Sequence, residues 1–185
     1  PGGPAPFIGP YLSPADPSLN GTIPGTFGYT SYAANAFVFL PGSTLKGTIT
    51  DGTSNTIGLA EHFAHCGDTH FYFKMFPWMD LSMRRPTFAD GDPLFEKKNY
   101  ADVTPLTKGD PPVSGPSYAT FPPIPTFQAA PKLAACHPLV PQTPHAGGMI
   151  TGMMDGSVRI TSPAVSPARF WGMVTPDRGE ILADL

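Results

Sequence analysis

Charge is what this chain has least of. Asp, Glu, Lys and Arg make up 14 % of its 185 residues, against about a quarter in an ordinary soluble domain. No basic run occurs and the net charge is −3. The counterion release that drives nucleic-acid binding therefore has no source, which excludes nucleic acid as a partner. No window approaches 18 consecutive apolar residues, and the opening PGGPAPFIGP has neither the basic nor the apolar stretch of a signal peptide. The chain as given is expected to be soluble, with any targeting segment absent. Cysteine is scarce too. Cys66 and Cys136 permit one disulfide without requiring it, and a disulfide would imply an oxidising compartment. A surface so poor in charge is unusual for a monomer and points to partners that cover part of it.

Proline and glycine are abundant, at 25 and 20 residues, a share close to that at which disorder becomes the default. The 41 % hydrophobic and 11 % aromatic fractions still supply a core, so the composition predicts one loop-rich domain with few long helices. Residues 1–30, punctuated by Asp16-Pro17 and Asn20-Gly21, read as an extended amino-terminal arm or ordered coil. Residues 31–185 read as a single head domain. SYAANAFVFL (31–40) predicts a core strand stopped by Pro41-Gly42. In ITDGTSNTIGLAEHFAHC (49–66), Asp51 and Gly52 predict a turn, and a short helical turn over 51–56 is equally compatible. Ile57, Leu59, Glu61 and Phe63 then share one strand face, on which Glu61 is the anomaly. The tract 84–126 is a long Pro- and Gly-rich insertion, expected to be loops packed on the core.

HAGGMITGMMDGSVRI (145–160) is the strongest local signal, because Asp155-Gly156 between alternating runs suits a two-residue hairpin turn. That register sets Met154 against Ser157, Met153 against Val158, Gly152 against Arg159 and Thr151 against Ile160. It places Met149, Thr151, Met153, Val158 and Ile160 on the core face. Ser166-Pro167 then predicts a helix start, and Pro176 with Gly179 its end. Phe170, Met173 and Val174 form its apolar stripe, which should lie on the sheet. Ile181 and Leu182 read as a final strand.

Taken in order, SYAANAFVF, ITDGTSNTIGLAEH, the Cys66 segment, AACHPLVPQTPHAGGM, DGSVR and SPARFWGMVTPDRGE resemble a large bacterial prepilin-like family of unknown function marked by an H-X9-DG signature. His145, nine residues, Asp155 and Gly156 match that signature, and DGTSNT (51–56) matches the family's other hallmark. The resemblance covers roughly residues 11–185. It implies an α+β, antiparallel-sheet-rich, pilin-like head behind an amino-terminal hydrophobic helix, in an exported protein that sits at the cell surface or in the periplasm. Neither that helix nor its processing site is present, so Pro1 is expected to lie in the amino-terminal region of the head, with membrane contact only through the missing helix. Family members are also grouped under a solute-binding heading. Pilin-like heads sometimes hold calcium, for which Asp51, Asn55, Glu61 and Asp155 would be the oxygen donors; otherwise no cofactor is expected.

Each candidate site competes with a structural explanation. Glu61, His62, His65, Cys66, Asp68 and His70, with Cys136, His137 and His145 downstream, are zinc-type ligands at no recognised zinc spacing. The alternative use of the sulfurs is a Cys66–Cys136 disulfide, given export, tying the central strand to the loop before the hairpin. His145 with Asp155 and Ser157, or Asp51 with Ser54, could suggest a hydrolase. Neither serine lies in a G-x-S-x-G elbow, however, and nothing supplies an oxyanion hole. His145 is instead expected to pack near the two Asp-Gly turns and bridge backbone groups. Asp51, Gly52, Asn55, Glu61, His145, Asp155 and Gly156 are thus read as a structural motif without catalysis. The function expected is a surface or secretion-apparatus subunit that assembles with copies of itself or a larger export assembly. The alternatives are a solute- or glycan-binding module using aromatic loops 70–130, including Tyr72 and Trp78, and a metal-dependent enzyme using the histidine cluster.

Overall fold

Two apolar segments, 57–61 and 149–153, lie side by side at the centre of the fold. The structure, a computed structural model, describes residues 8–19, 28–35, 37–39, 43–66, 69–71, 83–84, 87–88, 126–136 and 141–177. The expected strand at 181–182, Tyr72, Trp78 and most of the 84–126 insertion lie outside them. The strands in chain order are β1 (Tyr32–Asn35), β2 (Ile57–Glu61), β3 (His65–Cys66), β4 (Thr69–Phe71), β5 (Met83–Arg84), β6 (Thr87–Phe88), β7 (Gln128–Ala129), β8 (Gln142–Thr143), β9 (Met149–Met153) and β10 (Val158–Thr161). The helices are α1 (Leu45–Thr48) and α2 (Pro167–Val174). The main sheet has the order β10-β9-β2-β1-β6. Its first four strands are antiparallel and β6 joins β1 in parallel, so the architecture is α+β. Small satellites, β3-β4-β5 and β7-β8, flank it.

The helix α2 forms where its local signals are concentrated. Ser166 Oγ accepts the Arg169 N–H at 3.3 Å and Pro167 occupies the first turn. At the other end the Thr175 N–H and hydroxyl both donate to the Trp171 carbonyl at 2.9 Å, and Pro176 follows. The buried stripe is Phe170, Trp171 and Val174, while Met173, expected on it, is only partly buried. These side chains close on Ala33, Ile57, Ala60, Met149 and Met153 from the sheet. Phe170 meets Trp171 edge-on at 5.2 Å, an arrangement that aromatic quadrupoles favour, and Phe127 at 6.0 Å with the rings tilted by 43°.

The hairpin forms where expected but in a register shifted by one residue. Val158 pairs with Gly152, Arg159 with Thr151 and Ile160 with Ile150. The loop has three residues, Met154-Asp155-Gly156: the Met153 N–H donates to the Ser157 carbonyl at 2.8 Å, and Gly156 takes φ +86°. That is the three-residue hairpin loop with glycine in the left-handed position, which Asp-Gly suits as well as the two-residue turn. A one-residue slip moves every partner to the other face. Met149, Thr151 and Met153 are buried as expected, but Val158 and Ile160, expected in the core, are 70 % and 73 % exposed. A register shift between Ile57 and Leu59 does the same to β2: Ile57 is buried while Leu59 is 48 % exposed, so the two do not share a face.

Asp155 is fixed in this loop by accepting the Ser157 N–H at 2.9 Å. Ser157, through its side chain and its backbone N–H, and Arg159 behind it hold the carboxyl below the usual carboxylate range. A lowered folded-state value stabilises the fold above the unfolded-state value and is lost as pH falls through the folded one. Asp155→Asn, which keeps the acceptor and removes the titration, is expected to flatten the acid limb of stability in urea unfolding across that window. An acid limb as steep as the wild type's would contradict this.

Other local expectations shift. The strand read at 31–40 is limited to β1, after which Phe37 and Val38 turn into the interior. Over 51–56 the chain makes the expected turn, with the Asn55 N–H donating to the Gly52 carbonyl at 3.0 Å, and a short helix not expected from the sequence, α1, precedes it, where Thr44 Oγ1 accepts the Gly47 N–H at 3.0 Å. Among the described residues of the amino-terminal segment there are two 3₁₀ turns, Gly9–Tyr11 and Pro17–Leu19. The Cys66–Cys136 disulfide is present. Its first cysteine lies on β3, in the small sheet, and not on the central strand as expected.

Candidate functional site

The anomalous carboxylate on β2 is the centre of a buried polar cluster. Glu61 is 3 % exposed. Its Oε2 accepts the Thr143 hydroxyl at 2.6 Å and the Ile150 N–H at 2.8 Å, and its Oε1 faces His145 Nε2 at 3.5 Å. Thr143 is placed by β8, whose parallel pairing with β7 sets Ala129 opposite it. The Thr143 hydroxyl also accepts the His145 N–H at 3.1 Å. One residue upstream, the fully buried Gln142 accepts the Phe63 N–H on Oε1 at 3.2 Å. The turn 143–148 is thus sewn onto the end of β2 by side chains from both segments. The imidazole of His145 is 46 % exposed and covers the carboxylate from the solvent side.

The two halves of the H-X9-DG signature lie at opposite ends of β9, a strand whose length is about 16 Å at the usual rise. His145 does not pack at the Asp-Gly turns or bridge backbone there; its side chain meets a carboxylate at the far end. Asp155, by contrast, does reach the other Asp-Gly segment. The Asp155 N–H donates to the Thr53 carbonyl at 3.1 Å, and the Met154 N–H to the Thr56 carbonyl at 2.9 Å. Within that segment Gly52 takes φ +99°, and its carbonyl accepts the Asn55 N–H and the Thr56 hydroxyl. Asn55 Nδ2 donates to the Asp51 carbonyl at 3.0 Å, and the Asp51 N–H to the Pro176 carbonyl at 3.1 Å. The two Asp-Gly corners therefore form one joint that clamps the hairpin tip, the start of β2 and the segment after α2.

This separation decides several candidates. A His145-Asp155-Ser157 arrangement is not assembled, because the imidazole and the other two are at opposite ends of the hairpin. The calcium candidates Asp51, Asn55 and Asp155 gather at the joint, while Glu61 is at the other end of β2. Of the zinc-type set, the two sulfurs are joined to each other, and His62 turns Nδ1 to the Phe63 carbonyl at 2.9 Å. Asp68 and His137 lie outside the described residues. Among the described residues no group of three or more His, Cys, Asp or Glu side chains is placed to hold a metal ion, and no helix is long and apolar enough to cross a membrane.

Two polar anchors were not singled out from the sequence. Asp16, 2 % exposed, accepts the Ser18 N–H and hydroxyl on Oδ1 and the Ser31 hydroxyl and Ala64 N–H on Oδ2, all within 2.9 Å. The Asp-Pro-Ser string around it is a turn signal that could have marked it. Asn35, fully buried, donates from Nδ2 to the Ile57 and Val174 carbonyls and accepts the Phe37 N–H. Its only mark in the sequence is a polar side chain inside an apolar run.

What Glu61, Thr143 and His145 can do chemically follows from how their atoms are used. The threonine proton is held by the carboxylate and one of its lone pairs by backbone, so no activated hydroxyl is presented to solvent. Glu61→Ala is expected to lower stability by about 2–3 kcal/mol, since it leaves the Thr143 hydroxyl and the Ile150 N–H buried without their acceptor. His145→Ala, at a half-exposed pair, should lower it by at most ~1 kcal/mol. Urea unfolding of both variants checks the ranking, and equal effects would refute it. Compared with known proteins, the chain matches no family model, no curated protein and no solved structure.

Proposed function

We propose that this chain is a pilin-like head: an exported structural subunit of a cell-surface or secretion-apparatus assembly, without catalytic activity. The observation that carries the reading is the use made of the buried polar side chains. Glu61, Asp16, Asn35 and Gln142 each bind backbone or a side chain that orders backbone, joining segments far apart in the chain. Such groups stabilise one arrangement of loops, which suits a subunit whose surface must be reproduced in every copy. The disulfide supports export, because such bonds persist in oxidising compartments. The order of motifs shared with the prepilin-like family, and the low charge of the surface, support assembly.

The reading is tested on the native specimen. Mechanical shearing of cells that make the protein, followed by imaging of the released material, should find it in particles much larger than one chain. Recovery from the cytoplasm, or from the medium as single chains, would remove the basis for a structural role.

A further inference from the structure

The register shift of the hairpin leaves an aliphatic surface on the sheet face opposite the core. Strand pairing puts Leu59, Gly152 and Val158 in one cross-strand row and Ile150 with Ile160 in the next, all on the same face. The four large side chains are 48 %, 70 %, 40 % and 73 % exposed for Leu59, Val158, Ile150 and Ile160. Arg159, between Val158 and Ile160, belongs by alternation to the other face, while Glu61, which shares this face with Leu59, lies buried beside Ile150 under Thr143 and His145, at the border of the patch. Among the described residues β10 is also the sheet's edge, where Arg159 supplies a charge on the opposite face.

We infer that this face binds the same face of a second copy of the chain. At these exposures the four side chains present roughly 400 Å² of apolar surface, as large as the main patch on a typical monomer and often functional at that size. Two copies face to face would remove roughly 800 Å² of it from water. A stable interface of standard size buries about 1,600 Å² in all, a little over half of it apolar, so this patch paired with itself supplies most of the apolar share, and the surface around it the rest. The four exposed side chains are all aliphatic, and a second copy brings an aliphatic surface of matching extent. Gly152 gives the pairing relief. It leaves a slot between Leu59 and Val158 in the middle of the patch, into which an isoleucine of the other copy fits. A Cβ at that position would lie 3.5 Å from Leu59 Cβ, an ordinary contact, so a side chain there fills the slot without disturbing the strand.

The contact rests on the proposed structural role for its biological setting, but it is tested separately. Sedimentation velocity on the 185-residue chain, over a concentration series, should show a monomer–dimer equilibrium. Val158→Lys and Ile160→Lys, at exposed positions, should each weaken the dimer at least about tenfold, since each places an unpaired charge in a desolvated contact. Gly152→Val should weaken it by filling the slot. All three should retain the disulfide and, at concentrations where every chain is monomeric, the wild-type melting temperature. A wild-type chain that remains monomeric throughout, or lysine variants that associate as the wild type does, would overturn the proposal. Monomeric purified chain beside an intact native particle would overturn this contact and leave the structural role standing. A face-dependent dimer from a protein that forms no native particle would do the reverse.

Discussion

Replacing Cys66 and Cys136 together by serine is expected to destabilise the chain by about 4 kcal/mol, a large part of the 5–15 kcal/mol that holds a typical domain together. The magnitude follows from the sequence separation of 70 between the two cysteines. Closing a loop of that length removes conformational freedom mainly from the unfolded chain. The effect should also have a local component. Cys66 is buried on β3, and Cys136 ends the short turn at Leu133–Ala135, whose last carbonyl is held by the Gln128 amide at 3.0 Å. Without the bridge that turn remains attached through β7 and β8 alone. Hydrogen exchange should therefore rise first at residues 133–136, while the amides of β2 and β9 keep their protection until global unfolding. Guanidinium unfolding of the double variant measures the total. A loss below about 1 kcal/mol would mean that the unfolded chain is already constrained by other means.

How much of this architecture can be read from the chain depends on how far apart the cooperating residues lie. The helix α2 is legible because its serine cap, first-turn proline and apolar stripe are contiguous. The hairpin is legible as a hairpin, but its register is not. Asp-Gly fits two- and three-residue loops equally, and alternation alone favours the two-residue register, which would gather Met149, Met153, Val158 and Ile160 on one face. The outcome depends on α2, whose Phe170 and Val174 complete a core around the methionines. Glu61 stands out as a polar residue on an apolar strand, yet its acceptor role is invisible locally, because Thr143 lies 82 residues away and Ile150 lies 89. Asp16 has the same property, since its bond to Ala64 spans 48 residues. The motif spacing from His145 to Asp155 invites a reading in which the two cooperate. The intervening strand makes them the two fastened ends of one hairpin, His145 beside Glu61 and Asp155 beside Thr53.

Asn35→Leu is expected to be at least as destabilising as loss of the disulfide, although it conserves volume and adds apolar surface. The Asn35 amide donates to the Ile57 and Val174 carbonyls, both at 2.7 Å, and its Oδ1 accepts the Phe37 N–H at 3.0 Å. One side chain thus joins β1, the first residue of β2 and the last turn of α2. The site is fully buried, so water cannot take its place without opening the core. Leucine would leave two carbonyls and one N–H without this partner. At about 1–3 kcal/mol for each buried group so stranded, the sum is about 4 kcal/mol or more, which outweighs the gain from burying aliphatic carbon. Asn35→Asp separates the two halves of the argument. It keeps the acceptor for Phe37 but turns a carboxylate oxygen toward two carbonyls, so it should be no better than leucine. If the Phe37 amide contact carried the effect, aspartate would rescue most of it. Urea unfolding ranks the variants, and exchange at the Phe37 amide reports the acceptor alone: fast in the leucine variant, slow in the aspartate variant below its unfolding transition. A leucine variant within about 1 kcal/mol of the wild type would show that the contact between α2 and the sheet depends on apolar packing and not on this amide.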